Sequence, residues 1–177
     1  MDPSRARHFE RLGHIREAFA QANERLVARL RKADDDSARR VPEGGGWTAA
    51  QIGWHVAKVT NRFAALMSGE VAGVERLPLD FRERAWPEIA AVVPARLQAP
   101  DAFRPPPAVA RAEAIALLEA SGVRMARALD LVTAERGAAF GIKSPIVGGL
   151  INVYQIGEWA TAHVARHNKQ AKRVLGA

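Results

Sequence analysis

His163 and His167 stand four residues apart in the run H-V-A-R-H. On a helix that spacing is close to one turn, so the two imidazoles project side by side. A pair so placed can offer two nitrogens to one borderline metal ion. His55 adds a third ring, lying between Ile52 and Val59 on the apolar stripe of another helical segment and therefore facing the interior. An interior imidazole needs partners for its ring nitrogens. Two arrangements meet that need: core histidines each hydrogen-bonded separately, or three neutral rings around one cation. Three rings at similar depth satisfy one another poorly, which favours the cation. His8 and His14 are six apart, about 240° around a helix, so they cannot share an ion and are expected on the surface.

The chain has no cysteine. That excludes a disulfide scaffold, a thiolate zinc site, an iron–sulfur cluster and a cysteine nucleophile. Any metal must use nitrogen and oxygen ligands.

Metal-dependent hydrolases ordinarily add a carboxylate as proton shuttle, and none shares the histidine face. Glu158, five residues before His163, points about 140° away and is expected at the surface. Tyr154 is turned nearly opposite, and Asn152 shares the face but stands about 16 Å along the axis. Gln51, one turn before His55, is engaged in capping its helix. The long loop after that helix could still supply Asp80, Glu83, Glu88 or Asp101. No catalytic residue is assigned. Trp159, one turn before His163, could wall a pocket or be a plain core tryptophan. Lys58 and Arg62 follow His55 by three and seven residues and lie near its face. They could clamp an anionic ligand or snorkel to solvent at the helix end.

Four helical segments must position these groups, and no segment of useful length alternates as a strand would. The first covers about residues 4–31, with Phe9, Leu12, Phe19, Leu26 and Leu30 recurring at sums of three and four. Asp34-Asp35-Asp36-Ser37 and the Pro42-to-Gly46 run then end it with loop chemistry. The second opens on a capping box, Thr48 with Gln51, and a staple of Trp47 with Ile52; it runs to Ser68, with Gly69 at its C′ position. Residues 70–107 hold seven of the ten prolines, which permits only a short helix over about 87–97. So long a connection can line a cleft and carry the chain across a bundle. The third helix covers about 108–132, with Ile115, Leu118, Gly122, Met125, Leu129 and Val132 on one stripe and Gly122 leaving room for a neighbour. The fourth is predicted to begin at Ser144-Pro145, a cap followed by proline at the first helical position, and to end at Leu175-Gly176. The expected fold is one all-α domain, a four-helix bundle.

A chain of 177 residues with 48% hydrophobic and 25% charged residues is globular in balance and needs no staple to hold a core. No apolar run is long enough to span a membrane, and the first residues carry no signal-peptide pattern, so a cytoplasmic protein is expected. The formal charge of +7 is mostly arginine on solvated surface. No tryptophan lies inside a basic run, as single-strand binding would require, so nucleic acid is not the expected partner.

The stretch W-T-A-A-Q-I-G-W-H-V-A at 47–57 resembles the second-helix motif of the DinB-like, metal-binding four-helix proteins. K-S-P-I-V-G-G at 143–149 and H-V-A-R-H-N-K-Q at 163–170 resemble that family's fourth helix. The resemblance extends over most of the chain, with four helices in matching order. It implies an up-down-down-up bundle, frequently a homodimer, with one divalent metal held by His55, His163 and His167. The family includes transferases that use thiols such as bacillithiol or mycothiol, metal-dependent hydrolases, and members without a known reaction. It does not resemble the damage-inducible DNA polymerase, so DNA chemistry does not follow.

Three protein ligands leave a tetrahedral ion one open position. Nitrogen ligands favour zinc, nickel or iron over magnesium or calcium. A neutral ligand set leaves the full charge on the ion, which acidifies a bound water or ionises a thiol. The expected function is transfer of a low-molecular-weight thiol to an electrophilic small molecule, as in a detoxifying stress response. The sulfur must come from a cofactor, since the chain has none to give as cysteine, and Lys58, Arg62 and the positive charge suit such a thiol's carboxylates. A metal-dependent hydrolase and a non-catalytic dimeric metal-binding module are the alternatives.

Overall fold

Seven helices and three short strands make up the computed structural model, which describes residues 2–93 and 97–176. The four long helices are α1 (Pro3–Lys32), α3 (Ala49–Ser68), α5 (Arg111–Asp130) and α7 (Val153–Leu175). Around them lie α2 (Asp35–Arg39), α4 (Trp86–Val92), α6 (Ala134–Ala139) and the strands β1 (Glu75–Arg76), β2 (Phe140–Ser144) and β3 (Gly149–Asn152). Among the described residues no helix is long and apolar enough to cross a membrane.

Local chemistry sets the helix ends. Thr48 Oγ1 accepts from the Gln51 backbone N–H at 3.2 Å and Gln51 Oε1 accepts from the Thr48 N–H at 2.9 Å, the reciprocal pair that the capping box requires. α3 stops at Gly69, whose φ of 83° is left-handed and suits a residue without Cβ. In α4 the proline falls in the first turn, where no intrahelical N–H is missed. The predicted end of that short helix falls partly on residues 94–96, outside the described residues.

Contacts along the helices give their directions. His8 meets Tyr154 and Arg29 meets Asn168, so α1 and α7 run the same way. Arg111 reaches the Leu30 carbonyl and Arg16 reaches Asp130, so α5 runs against α1. Gly53 packs on Ala114 and Leu118, and Glu70 pairs with Arg124, so α3 runs alongside α5. This is the up-down-down-up order, and residues 69–110 make the crossover that two parallel neighbours need. Leu26, Leu30, Ile52, Leu118, Met125 and Ile156 fill the centre. Gly122 does leave room: Asn23 of α1 occupies it and donates to the Leu118 carbonyl at 3.2 Å.

Four expectations are corrected. The bundle carries a three-stranded antiparallel sheet in the order β1-β2-β3, where no strand was expected. Its strands are two, five and four residues long, and they replace no helix of the bundle. Ser144-Pro145 therefore does not open the fourth helix. Ser144 pairs with Gly149 across the hairpin, Pro145 enters its turn, and α7 starts at Val153 behind an Asn152–Gln155 capping box. Part of the loop after the first helix folds into α2, because Asp34 accepts from the Ser37 N–H and caps it. His8 is buried rather than at the surface, because Tyr154 Oη lies 2.7 Å from its Nδ1. Phe9 beside it is 55% exposed and is covered instead by the Arg5 guanidinium.

Candidate metal centre

His55 is on α3 and faces α7, which carries His163 and His167 one turn apart. The ring centres are 4.4, 4.8 and 5.1 Å apart, and one ligand nitrogen from each ring lies within 4.8 Å of the others. Among the described residues they form a group that could hold a metal ion. His14 is exposed on the surface as expected.

Neighbouring acceptors orient two of the rings. The Phe103 carbonyl, at the end of a 3₁₀ turn (Asp101–Phe103), lies 2.7 Å from His55 Nδ1. A carbonyl only accepts, so Nδ1 carries the proton and Nε2 is left with its lone pair. His167 Nδ1 donates to Gln170 Oε1 at 2.8 Å, which leaves its Nε2 likewise free to ligate. His163 is different: its Nδ1 is sealed from solvent and has no hydrogen-bond partner. Its Nε2 lies 3.2 Å from His55 Nε2. Two nitrogens on one tetrahedral ion stand about 3.3 Å apart, so this pair already has the required span.

Burial keeps the rings neutral. It lowers His55, against an opposing pull from the Phe103 carbonyl. It holds His163 well below the usual imidazole range, with the charges of His167, His55 and Arg166 adding to the effect. It also pushes His167 down to about 4, helped by His55 and Arg166. Near neutral pH all three are therefore unprotonated, the state in which imidazole binds a cation. The nitrogen set and the two fixed tautomers fit a borderline divalent metal.

The rings open into a cavity of about 580 Å³. Three of the four tryptophans, Trp47, Trp86 and Trp159, line it together with Phe63 and Phe103. Trp47 lies 4.7 Å from the His55 ring, centre to centre, and Trp159 is stacked on Trp86 at 6.0 Å. Trp159 is thus a wall of the pocket. Arg62 lines the cavity as the sequence suggested, whereas Lys58 is turned away over the face of Trp54, 5.0 Å from the ring centre, and is not on the lining. Arg166 lines it as well.

No carboxylate among the described residues lines the cavity. Glu83 is held by Arg11 and Asn152, Glu88 accepts from the Ala85 N–H, Asp101 pairs with Arg104, and Asp80 is exposed off the lining. Glu158 does not touch the rings but is not a plain surface residue either. It accepts from Arg11 Nε at 2.8 Å and from the Trp86 indole N–H at 2.7 Å.

Sequence reasoning missed Phe103, Gln170, Trp86 and Arg166. Gln170 and Arg166 are each three residues from a ring of the pair, so helical spacing could have found them. Trp86, Ile89, Ala90 and Val93 make an apolar i, i+3, i+4, i+7 face on the crossover, also legible. The Phe103 carbonyl is backbone, and no residue type announces it. The family model of the DinB superfamily matches residues 18–171. Among curated proteins, none matches the chain.

Proposed function

We propose that this chain, which belongs to the DinB superfamily, is a divalent-metal transferase that joins a low-molecular-weight thiol to an electrophilic small molecule. One observation carries the proposal: the histidine triad opens into a roomy cavity on which no carboxylate is found among the described residues. Hydrolysis of an ester or amide calls for a group that passes a proton from water to the leaving atom. Thiol transfer does not, because a thiol loses its proton to solvent before it attacks.

His55, His163 and His167 would hold zinc, nickel or ferrous iron, the metals that suit three neutral imidazoles. When bound, the ion supplies Lewis acidity that stabilises a thiolate near neutral pH. Phe103 and Gln170 keep the His55 and His167 lone pairs turned inward. Arg62 and Arg166 supply positive charge on the cavity for the carboxylates of the thiol. The aromatic walls exclude water from the reacting sulfur. The thiolate sulfur then forms its bond to an electrophilic carbon, and the leaving group departs with the electron pair of the bond that breaks.

The test is conjugation by protein loaded with zinc or nickel, across bacillithiol, mycothiol, glutathione and coenzyme A. A rate above the metal-free control with at least one thiol is expected. Hydrolysis of esters or amides that depends on the metal, with no thiol conjugated, would replace the transferase with a hydrolase.

A further inference from the structure

Among the described residues, α4 itself presents only hydrocarbon to the cavity. Trp86, Ile89 and Ala90 line it from one face of that helix, and Val93, the residue just past its end, lines it as well. The helix's carboxylate, Glu88, is turned back to the Ala85 N–H. Trp86 has one polar atom, the indole Nε1, and it donates to Glu158, which is not on the lining. The ring therefore offers its π-surface, with Trp159 stacked beside it at an interplanar angle of 23°. Two flat indoles and a branched aliphatic face form a slot.

From this we infer that the electrophile is an uncharged compound with a flat aromatic body, bound against the apolar face of α4 and the neighbouring Trp159. The inference rests on the transferase reading, which assigns the cationic side of the cavity to the thiol. A polar electrophile against this face would give up water and gain no hydrogen-bond partner from α4, which is unfavourable. An aromatic body gains from burial and from ring–ring contact. A cavity of about 580 Å³ has the volume to take a ligand of that size. Glu158 is the positioning residue: it fixes the plane of Trp86 without touching a ligand.

The experiment needs no turnover. 4-Nitrobenzyl alcohol, an uncharged nitroaromatic that quenches indole emission, is titrated into zinc-loaded protein while tryptophan fluorescence is followed. Saturable quenching is expected, with the small polar epoxide glycidol failing to compete. Ala90 is solvent-exposed on the rim, so Ala90→Glu places a carboxylate on the slot without entering the core. That variant should weaken binding of the alcohol by about tenfold or more while zinc uptake and helicity stay unchanged. Quenching that never saturates, competition by glycidol, or equal affinity in Ala90→Glu would overturn the inference. Conjugation of glycidol without nitroaromatic binding would sink this inference and leave the transferase standing. Saturable binding by a protein inert towards every thiol would do the reverse.

Discussion

Replacing His163 by leucine separates what the site costs the fold from what it does. In the metal-free protein His163 Nδ1 is sealed from solvent with no partner. A buried polar atom left unpaired costs about 1–3 kcal/mol. Leucine fills a similar volume and asks for no partner, but it also gives up the 3.2 Å contact between the Nε2 atoms of His163 and His55, so the metal-free variant should match the parent or exceed it by up to about 1 kcal/mol, or roughly 2–4 °C in Tm. The gap should also widen in acid. His163 is held well below its usual pKa of 6.5 by burial, so in the folded protein it stays neutral as pH falls. The unfolded chain takes up that proton once pH drops below about 6.5, which pulls the parent towards unfolding by up to about 1.4 kcal/mol per pH unit until the folded pKa is reached. Leucine has nothing to protonate and is spared this loss. Urea denaturation of chelated protein, followed by far-UV circular dichroism near pH 7.5 and again near pH 5.5, measures both effects. A leucine variant less stable than the parent near pH 7.5, or a gap that stays constant into acid, would refute the reasoning. Zinc uptake should be lost in either buffer.

Three further outcomes are expected. His55→Ala and His167→Ala should each abolish stoichiometric zinc uptake with helicity retained, since the rings flank the apolar core without filling it; full occupancy by metal analysis in either would break up the triad. Gly137→Ala should destabilise by about 2–3 kcal/mol in urea, because the added Cβ would stand 2.2 Å from the Tyr154 ring, which His8 pins in place. Thr48→Ala should cost about 1 kcal/mol through the lost cap on α3, with Gln51→Ala smaller, and no loss for Thr48→Ala would show the cap to be idle.

The long helices were legible because their burial follows the 3.6-residue period and their ends carry side-chain signals. Thr48, Gln51 and Gly69 marked α3 to the residue, and each is engaged as its type demands. The hairpin was not legible for two physical reasons. Ser-Pro opens a helix or enters a turn with the same local chemistry, and the choice here is made by pairing of 140–144 with 149–152 and with the distant Glu75–Arg76. Strands of two to five residues are also too short to display a period. The exchange of Phe9 for His8 on the buried face of α1 has a similar origin. Adjacent positions differ by about 100° around a helix, and a partner 146 residues away in sequence decides which turns inward.

The site was legible wherever a helix imposes angles. The i, i+4 pair and the stripe position of His55 placed three rings together, and the structure brings one nitrogen of each within 4.8 Å of the others. The same angles put Glu158 about 140° off the histidine face, and it indeed touches none of the rings. Its pairing with the Trp86 indole nevertheless sets a wall of the cavity. An angular criterion excludes direct contact but not action through an intervening residue supplied by another element. Trp86 comes from the crossover, where proline spacing says what cannot form and little about where the chain runs. The clustering of the three imidazoles therefore follows from one-dimensional spacing. The aromatic slot depends on how a loop of low periodicity folds back across α7, and only the three-dimensional arrangement reveals that the carboxylate nearest in sequence orients the wall.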